Sequence, residues 1–595
     1  MAFPRSGVIP FLIAFVTLAG VSLLWAPYKN PSLQWVISLL MYGLLFAVVL
    51  QGIQAWSQIW QVAVVMLAVG LFEGVLGIVQ YAWQGEMRAR GTFFNPNFFA
   101  TYIVASLSIV LGILSSTSSE SPSRRRAIVL WLVAAILALA FISAQSRGAV
   151  VALLATLLFI GCLRFGKAFL MVILVGLLAG AVIPNPLKER MVNVAAQDSY
   201  AYSRLDIWRS TLERAIDRPM GVGAGLYKYT SFQYRFPIES DVIRYEKRAE
   251  SAHNEYLQVA VELGMCGLGL LLLGIGTWIK EAKGAWQGVW RTPEWGLMVG
   301  LSGVVFAILA HATVDSVFHE PALMTVLVLS GGLVIKARSF QSPSSSWTVS
   351  RPFTAWRMTA VLMLVMTLAA LSIQFAAGWY AHGRGQVEFQ AGRLDQALEW
   401  FRLAGRVDAG TTGYHDDVAQ VSLQLFRRSG DPQWLVTAAE EEELAIALNP
   451  MDGRFPYRLG TIYDALAARV ATRSERDRLQ ALAADAYQQA IKADPYAPMT
   501  FLALARIRLS DGHPEEGRSW VERALEVEPH FLPGRALLAE LDLKAGKLDA
   551  GRLQLKEIET IQKKFYGHTL SDTERQFLDV NVRSLKQQIA PEPTP

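Results

Sequence analysis

The chain has 595 residues, 52% hydrophobic and only 18% charged, with a formal net charge of +5 and a mean hydropathy of +0.30. Soluble globular proteins carry charged residues near a quarter of the total, so this balance excludes an ordinary soluble protein of this size. The two cysteines, Cys162 and Cys266, supply neither a disulfide framework nor a Cys/His metal spacing, and neither a metal, a cofactor nor a nucleic-acid partner is expected.

The apolar residues are unevenly placed. Up to residue 380 they come in blocks of roughly 17–25, the length that crosses a bilayer as a helix. Beyond it the blocks stop and charge density rises. The expected fold is all-α: a polytopic domain in the lipid bilayer over 1–380, then a soluble α-solenoid over 381–590. About eleven spans are predicted, at 8–26, 33–53, 59–82, 98–115, 127–143, 148–163, 168–184, 256–278, 295–316, 321–337 and 356–379. The first block lacks a small-residue cleavage site and is followed by further spans, so it reads as a span and not as a cleaved signal.

Orientation follows from Lys and Arg in short connectors. One set carries Arg124, Arg125 and Arg126, then Arg164 and Lys167, then Lys280, Lys283 and Arg291, then Lys336, Arg338, Arg351 and Arg357. The alternate set carries only Lys29, Arg88, Arg90 and Arg147. The first set is expected in the cytoplasm. The long loop 185–253 and the C-terminal repeats are then expected on the opposite, outer side of the membrane.

Four stretches gather polar residues on that outer side. In "RARGTFFNPNFFATYI" (88–103), Asn95-Pro96-Asn97 reads as a turn and the phenylalanines suit the membrane interface. Arg88 and Arg90 either snorkel or help form an anion site. In "SAQSRGAVVALL" (143–154), Arg147 projects from the start of a span beside Gly148. In "SYAYSRLDIWRSTLERAIDRPMGVGAGLYKY" (199–229), Arg204, Trp208 and Leu212 recur at helical spacing. Gly221, Gly223 and Gly225 then form either a tight turn or a nest of N–H groups for an anion. In "ESAHNEYLQVAVELG" (250–264), His253 and Leu257 are read on one helical face, Asn254 and Gln258 on the next. Glu262 falls within the span and needs a partner or a cavity, and Gly264 is a candidate break. "HATVDS" follows in a later span, with His311 and Asp315 one turn apart. They either pair with each other or orient a site residue.

The C-terminal region repeats. Pro495 and Pro529 are 34 residues apart, as are Gly512 and Gly546. "YRLGTIYDALA" at 457–467 carries the L-G-x2-Y element, and "GQVEFQAGRLDQALEWFRLA" at 385–404 reads as a first, irregular unit. This is the tetratricopeptide period, a scaffold that offers a surface to a protein partner and seldom does chemistry.

"RGTFFNPNFFA", "SAQSRGA", "SRLDIWRSTLERAIDRPMGVGAG" and "AHNEYLQVAVELGMCGLG", in this order, resemble the O-antigen ligase superfamily over roughly residues 60–335. That superfamily also includes O-antigen polymerases and protein O-oligosaccharyltransferases. The resemblance implies a membrane glycosyltransferase. It would move a glycan from a polyprenyl-diphosphate donor to a hydroxyl acceptor (a lipid-linked glycan, lipid A-core or a protein) without a metal. It matches Arg147 to the S-R-G arginine and His253 to the H-N-x-[YF]-L histidine. It matches Arg204 to the loop arginine, with Arg209, Arg214 and Arg218 nearby. The arginines would hold the diphosphate and His253 would activate the acceptor.

The chemistry agrees. Arginine stays charged and presents a fixed fork of donors to phosphate oxygens. A departing diphosphate gathers negative charge, which held arginines stabilise in the transition state. A histidine with an ordinary pKa near ~6.5 can take a hydroxyl proton at neutral pH. Arg88, Arg90, Asn254, Tyr256, Gln258, His311 and Asp315 are the expected substrate-binding residues around this trio. No D-x-D motif is present to signal metal-assisted binding. A non-catalytic, membrane-anchored repeat scaffold would leave the outer arginines and His253 unexplained. A transporter would need more mid-membrane ionisable residues than Glu73 and Glu262.

Overall fold

The computed structural model of the chain describes residues 2–4, 6–116, 124–166, 171, 199–239, 241–341, 348–350, 355–583 and 586. The fold is helical, apart from a three-residue antiparallel pairing of Ala2–Pro4 with Thr348–Ser350. In chain order the first helices are α1 (Val8–Ser22), α2 (Lys29–Gly52), α3 (Trp56–Ala82), α4 (Pro96–Leu114), α5 (Arg124–Ala144) and α6 (Arg147–Phe165). Then follow α7 (Ser199–Asp217), α8 (Glu255–Gly288), α9 (Glu294–His311), α10 (Pro321–Gln341) and α11 (Ala355–Gln390). Among the described residues nine helices are long and apolar enough to cross a membrane, and α1 is a shorter apolar helix. Ten of the predicted spans thus fall on apolar helices, and the one at 168–184, apart from Met171, lies outside the described residues.

The chain divides into two compact units. The first comprises Met1–Trp25, Ser32–Tyr227 and Ser251–Val365. Its middle is α4 against α9. Small residues allow this contact: a Cβ on Gly112 would lie 2.3 Å from the Gly300 Cα, and one on Gly296 2.6 Å from the Gly112 carbonyl oxygen. Close backbone approach is how apolar helices gain packing energy where water cannot drive them together. The outer faces of α3 and α5 leave Val64, Val65, Phe72, Ile128, Trp131 and Leu132 exposed, as expected for surfaces that meet lipid tails. Glu73, buried on α3, accepts from the Thr92 backbone N–H at 2.9 Å and the Thr92 hydroxyl at 2.7 Å. That satisfies a carboxylate that would otherwise be costly in an apolar setting.

The second unit comprises Ala26–Pro31, Lys228–Glu250 and Met366–Pro595. Its helices continue as α12 (Leu394–Val407), α13 (Thr412–Ser429), α14 (Gln433–Leu448), α15 (Arg454–Ala467) and α16 (Arg473–Ala493). They end with α17 (Pro498–Ser510), α18 (Pro514–Val527), α19 (Leu532–Lys544), α20 (Leu548–Lys564) and α21 (Asp572–Leu578). Consecutive helices pair as antiparallel hairpins, and α17 and α19 begin 34 residues apart, the predicted repeat period. The end of α11 serves as the first helix of the first hairpin, where Gly385 admits the ring of Phe401; Gly460 does the same for Tyr487.

Gly112→Val should force α4 and α9 apart. Overpacking of this kind costs about 1–3 kcal/mol, so the thermal midpoint of the detergent-solubilised protein is expected to fall by several degrees. An unchanged midpoint would contradict the close-packed α4–α9 contact.

Candidate functional site

Helix α8 starts at Glu255, capped by Asn254, whose side-chain oxygen accepts from the Leu257 N–H at 3.1 Å. His253 therefore lies outside the helix, and its backbone sits at φ +46. The sequence placed His253 on a helical face with Leu257; the cap overrides that reading. A non-glycine residue in the left-handed region is uncommon and strained, and such residues gather at functional sites. Gln145, two residues before Arg147, is a second case at φ +51.

The turn aims the His253 ring at Asp315. Nδ1 lies 3.0 Å from Asp315 Oδ1. With the N–H at Nδ1 donating to the carboxylate, Nε2 keeps its lone pair, and the side chain remains about a third exposed at 37%. Asp315 is buried at 2% and accepts two further bonds, from Asn97 Nδ2 at 2.9 Å and from the Ser316 N–H at 2.9 Å. Burial alone would raise its carboxyl. The His253 hydrogen bond, the adjacent His311 and the Ser316 N–H outweigh burial and hold it well below the usual carboxylate range.

His311 ends α9, fully buried. The Thr101 hydroxyl donates to the Asn97 carbonyl at 2.9 Å, so it accepts from His311 Nδ1. His311 Nε2 is 3.9 Å from Asp315 Oδ2 and has no hydrogen-bond partner among the described residues. Asp315 thus meets both rings, hydrogen-bonded to His253 and 3.9 Å from His311. A Cβ on Gly148 would come 2.6 Å from His311 Nε2, so the glycine after Arg147 lets α6 approach this ring.

Of the four predicted outer arginines, Arg88 is hydrogen-bonded into this cluster. Arg88 Nη2 donates to Asn97 Oδ1 at 2.8 Å, and its Nε to the Ala144 carbonyl at 3.0 Å. Arg147 opens α6, half-buried, next to Gly148. Arg204 is half-buried on α7. One turn on, Trp208 Nε1 donates to the Ala252 carbonyl at 3.1 Å, which ties α7 to the residue before His253. Its neighbours separate from it: Arg209 is exposed and pairs with Glu213, Arg218 is exposed, and Arg214 is buried over the Tyr227 ring at 4.5 Å. Arg90 is not gathered in; it is exposed and pairs with Glu86 at 3.0 Å.

The other expected substrate-binding residues spend their polar groups on the chain itself. Asn254 Nδ2 donates to the Thr313 carbonyl at 3.0 Å and Tyr256 OH to the Leu309 carbonyl at 2.9 Å. Gln258 Oε1 accepts from the Ala252 N–H at 3.1 Å. Sequence reasoning missed Asn97, which appeared only as part of a turn, and Thr101. It also missed His319, whose ring stacks on Trp35 with centroids 4.5 Å apart and whose Nδ1 lies 3.3 Å from Glu255. Glu255, Gln258, Glu262 and His319 form the polar end of an apolar cavity of about 240 Å³ lined by residues of α1, α2, α8 and α10.

The Gly221–Gly225 run turns one N–H, with that of Tyr227 just beyond it, toward the chain's own Glu262 carboxyl group. Gly225 N–H donates to one carboxylate oxygen at 2.8 Å and Tyr227 N–H to the other at 3.2 Å. Gly221, Gly223 and Gly225 all have positive φ, and Gly221 faces the break in α8 at Gly264, φ +69. Among the described residues no group of three or more His, Cys, Asp or Glu is placed to hold a metal ion.

Glu262→Ala would strip the Gly225 and Tyr227 amides of their acceptor, at about 1–3 kcal/mol. Hydrogen exchange of the peptide containing them should accelerate about tenfold or more; unchanged exchange would contradict the assignment of Glu262 as the anchor of this loop.

No curated protein matches the chain. Similar solved structures include MamA 41-end from Desulfovibrio magneticus RS-1 (13% identity, 32% of this chain and 98% of that chain, TM-score 0.26). A thermophilic TPR protein in Thermus thermophilus aligns at 20% identity, over 32% of this chain and 93% of that one, TM-score 0.25. Residues 132–272, a stretch that holds Arg147, Arg204 and His253, match the family model described as O-antigen ligase.

Proposed function

We propose that the protein transfers a glycan from a polyprenyl-diphosphate donor to a hydroxyl acceptor on the outer face of the cytoplasmic membrane, with His253 as general base. The observation that carries this reading is the His253 turn: a strained backbone aims Nδ1 at a buried carboxylate, while the side chain stays about a third exposed. An imidazole held by a carboxylate on one nitrogen can accept a proton on the other.

In the step itself, the acceptor hydroxyl oxygen bonds to the anomeric carbon of the donor. The bond from that carbon to the diphosphate oxygen breaks, and the hydroxyl proton passes to His253 Nε2. The departing diphosphate takes the electron pair, and Arg147 and Arg204 neutralise it. Arg88 holds Asn97, which holds Asp315, so it acts as a positioning residue as much as a charge. A diphosphate is a good leaving group and needs no general acid. The apolar cavity beside Glu255 and His319 supports a lipid-borne substrate, and the O-antigen ligase match supports a glycan. The acceptor class, whether lipid-linked glycan, lipid A-core or protein hydroxyl, is what the assay must sort.

Purified protein given a polyprenyl-diphosphate oligosaccharide and each acceptor class should transfer to one of them, with or without excess chelator. His253→Ala should cut the rate about 100-fold or more, and Arg147→Ala and Arg204→Ala each about 100-fold, while Arg209→Ala and Arg90→Ala leave it near wild type. Full activity in His253→Ala would overturn the base assignment. Full activity in both Arg147→Ala and Arg204→Ala would overturn the diphosphate site.

A further inference from the structure

The repeat unit holds more than repeats. Residues Lys228–Glu250, from the connector between α7 and α8, belong to it, as does Ala26–Pro31. Both meet the same row of positions on the solenoid. Where the second helix of each of the first four hairpins ends, its C-cap is a buried polar residue: Asp408 after α12, Asn449 after α14, Asp494 after α16 and Glu528 after α18. Three of the four rungs are acidic, and each of the three receives a group from the chain's own connectors.

Asn30 Nδ2 donates to Asp408 at 3.2 Å, and the buried Tyr28 hydroxyl accepts from the Thr412 N–H at 3.0 Å. Arg235 Nη2 pairs with Asp494 at 2.9 Å, and its Nη1 donates to the Tyr245 carbonyl at 2.9 Å. Both ends of the ion pair are sheltered, at 13% and 8% exposure, where solvent screens little. Glu528 accepts the Arg244 and Tyr245 N–H groups at 3.1 and 2.9 Å, one on each oxygen. Apolar contacts reinforce the polar ones. Tyr245 stacks on Tyr496 with centroids 4.4 Å apart. Val242 and Ile243 are buried in the same cluster as Phe501 and Phe531. Such an arrangement has the chemistry of peptide recognition: backbone N–H groups and one arginine on fixed carboxylates, with aromatic anchors beside them. Four helices able to span the membrane stand between Glu250 and the repeats, α8 to α11, and an even number returns the chain to the side it left.

We propose that the acidic edge of the repeat domain is the receptor for this chain's own connector. The repeats act as an intramolecular clamp on Lys228–Glu250, and so hold the segment that runs through Ser251 and Ala252 into His253. The repeats thereby limit the conformations open to the turn that carries the base, which reduces the entropy lost when the site orders. The consequence for transfer rests on the glycosyltransferase reading; the clamp itself does not.

The test uses full-length protein in lipid nanodiscs and hydrogen exchange read by mass spectrometry. Arg235→Glu, a change on the connector that leaves the repeats intact, should raise exchange in peptides from 235–250 at least tenfold. The increase should extend into the peptide containing Ser251–His253. Tyr245→Ser should do the same through loss of the stack. Combining Arg235→Glu with Asp494→Arg should restore protection in both peptides. Unchanged exchange in both single variants, or an opened connector with 251–253 still protected, would overturn the clamp. In the same samples glycan transfer should fall with Arg235→Glu and recover in the charge-swapped pair. Wild-type protein that transfers to no acceptor would count against the transferase reading alone, since the exchange pattern decides the clamp.

Discussion

A single buried carboxylate organises the membrane unit's polar face. Asp315 is 2% exposed, and a charge held that far from water must be fully engaged by donors. Its oxygens take His253, Asn97 and the Ser316 N–H, with His311 alongside. These groups come from the start of α4, the turn before α8 and the end of α9. One carboxylate thus fixes the register of three helix ends, and it can do so because Gly112, Gly296 and Gly300 let α4 and α9 touch along their backbones. The strain at His253 persists because the Asn254 cap behind it and Asp315 in front of it leave the turn no better option.

The same logic recurs around the unit with a consistent sign. Glu73 is tied to Thr92, Glu262 to Gly225 and Tyr227, and Glu255 to the Phe318 N–H and His319. Each buried anion is neutralised by donors of its own chain. Arg88 instead is hydrogen-bonded into the histidine cluster through Asn97. In the proposed reaction a departing diphosphate, whose negative charge grows, is the group that arginines would stabilise.

Much of this was legible in the sequence, for identifiable reasons. Spans announce themselves because every lipid-facing residue must be apolar. The repeats announce themselves by their period. His253 stood out as a histidine at the mouth of an apolar helix, and the order of motifs singled out Arg147 and Arg204. What stayed hidden depends on long-range pairing. Asn97 reads as half of a turn until Asp315, 218 residues away, is brought to it. The glycine run reads as an empty nest until Glu262 fills it. His253 and Leu257 fit a helical face in any local reading, and only the cap at Asn254 shows that the helix starts later. The connector 228–250 carries ordinary loop residues, and its partners lie as many as 284 positions further along the chain.

The central claim is that Asp315 acts through His253. A double-mutant cycle on the transfer rate tests it most directly, using Asp315→Asn, His253→Ala and the two combined. If the carboxylate serves only to orient and polarise the histidine, the combined variant is no slower than His253→Ala alone. If the two losses multiply, Asp315 contributes independently of the histidine, and the claim that it acts through His253 is wrong.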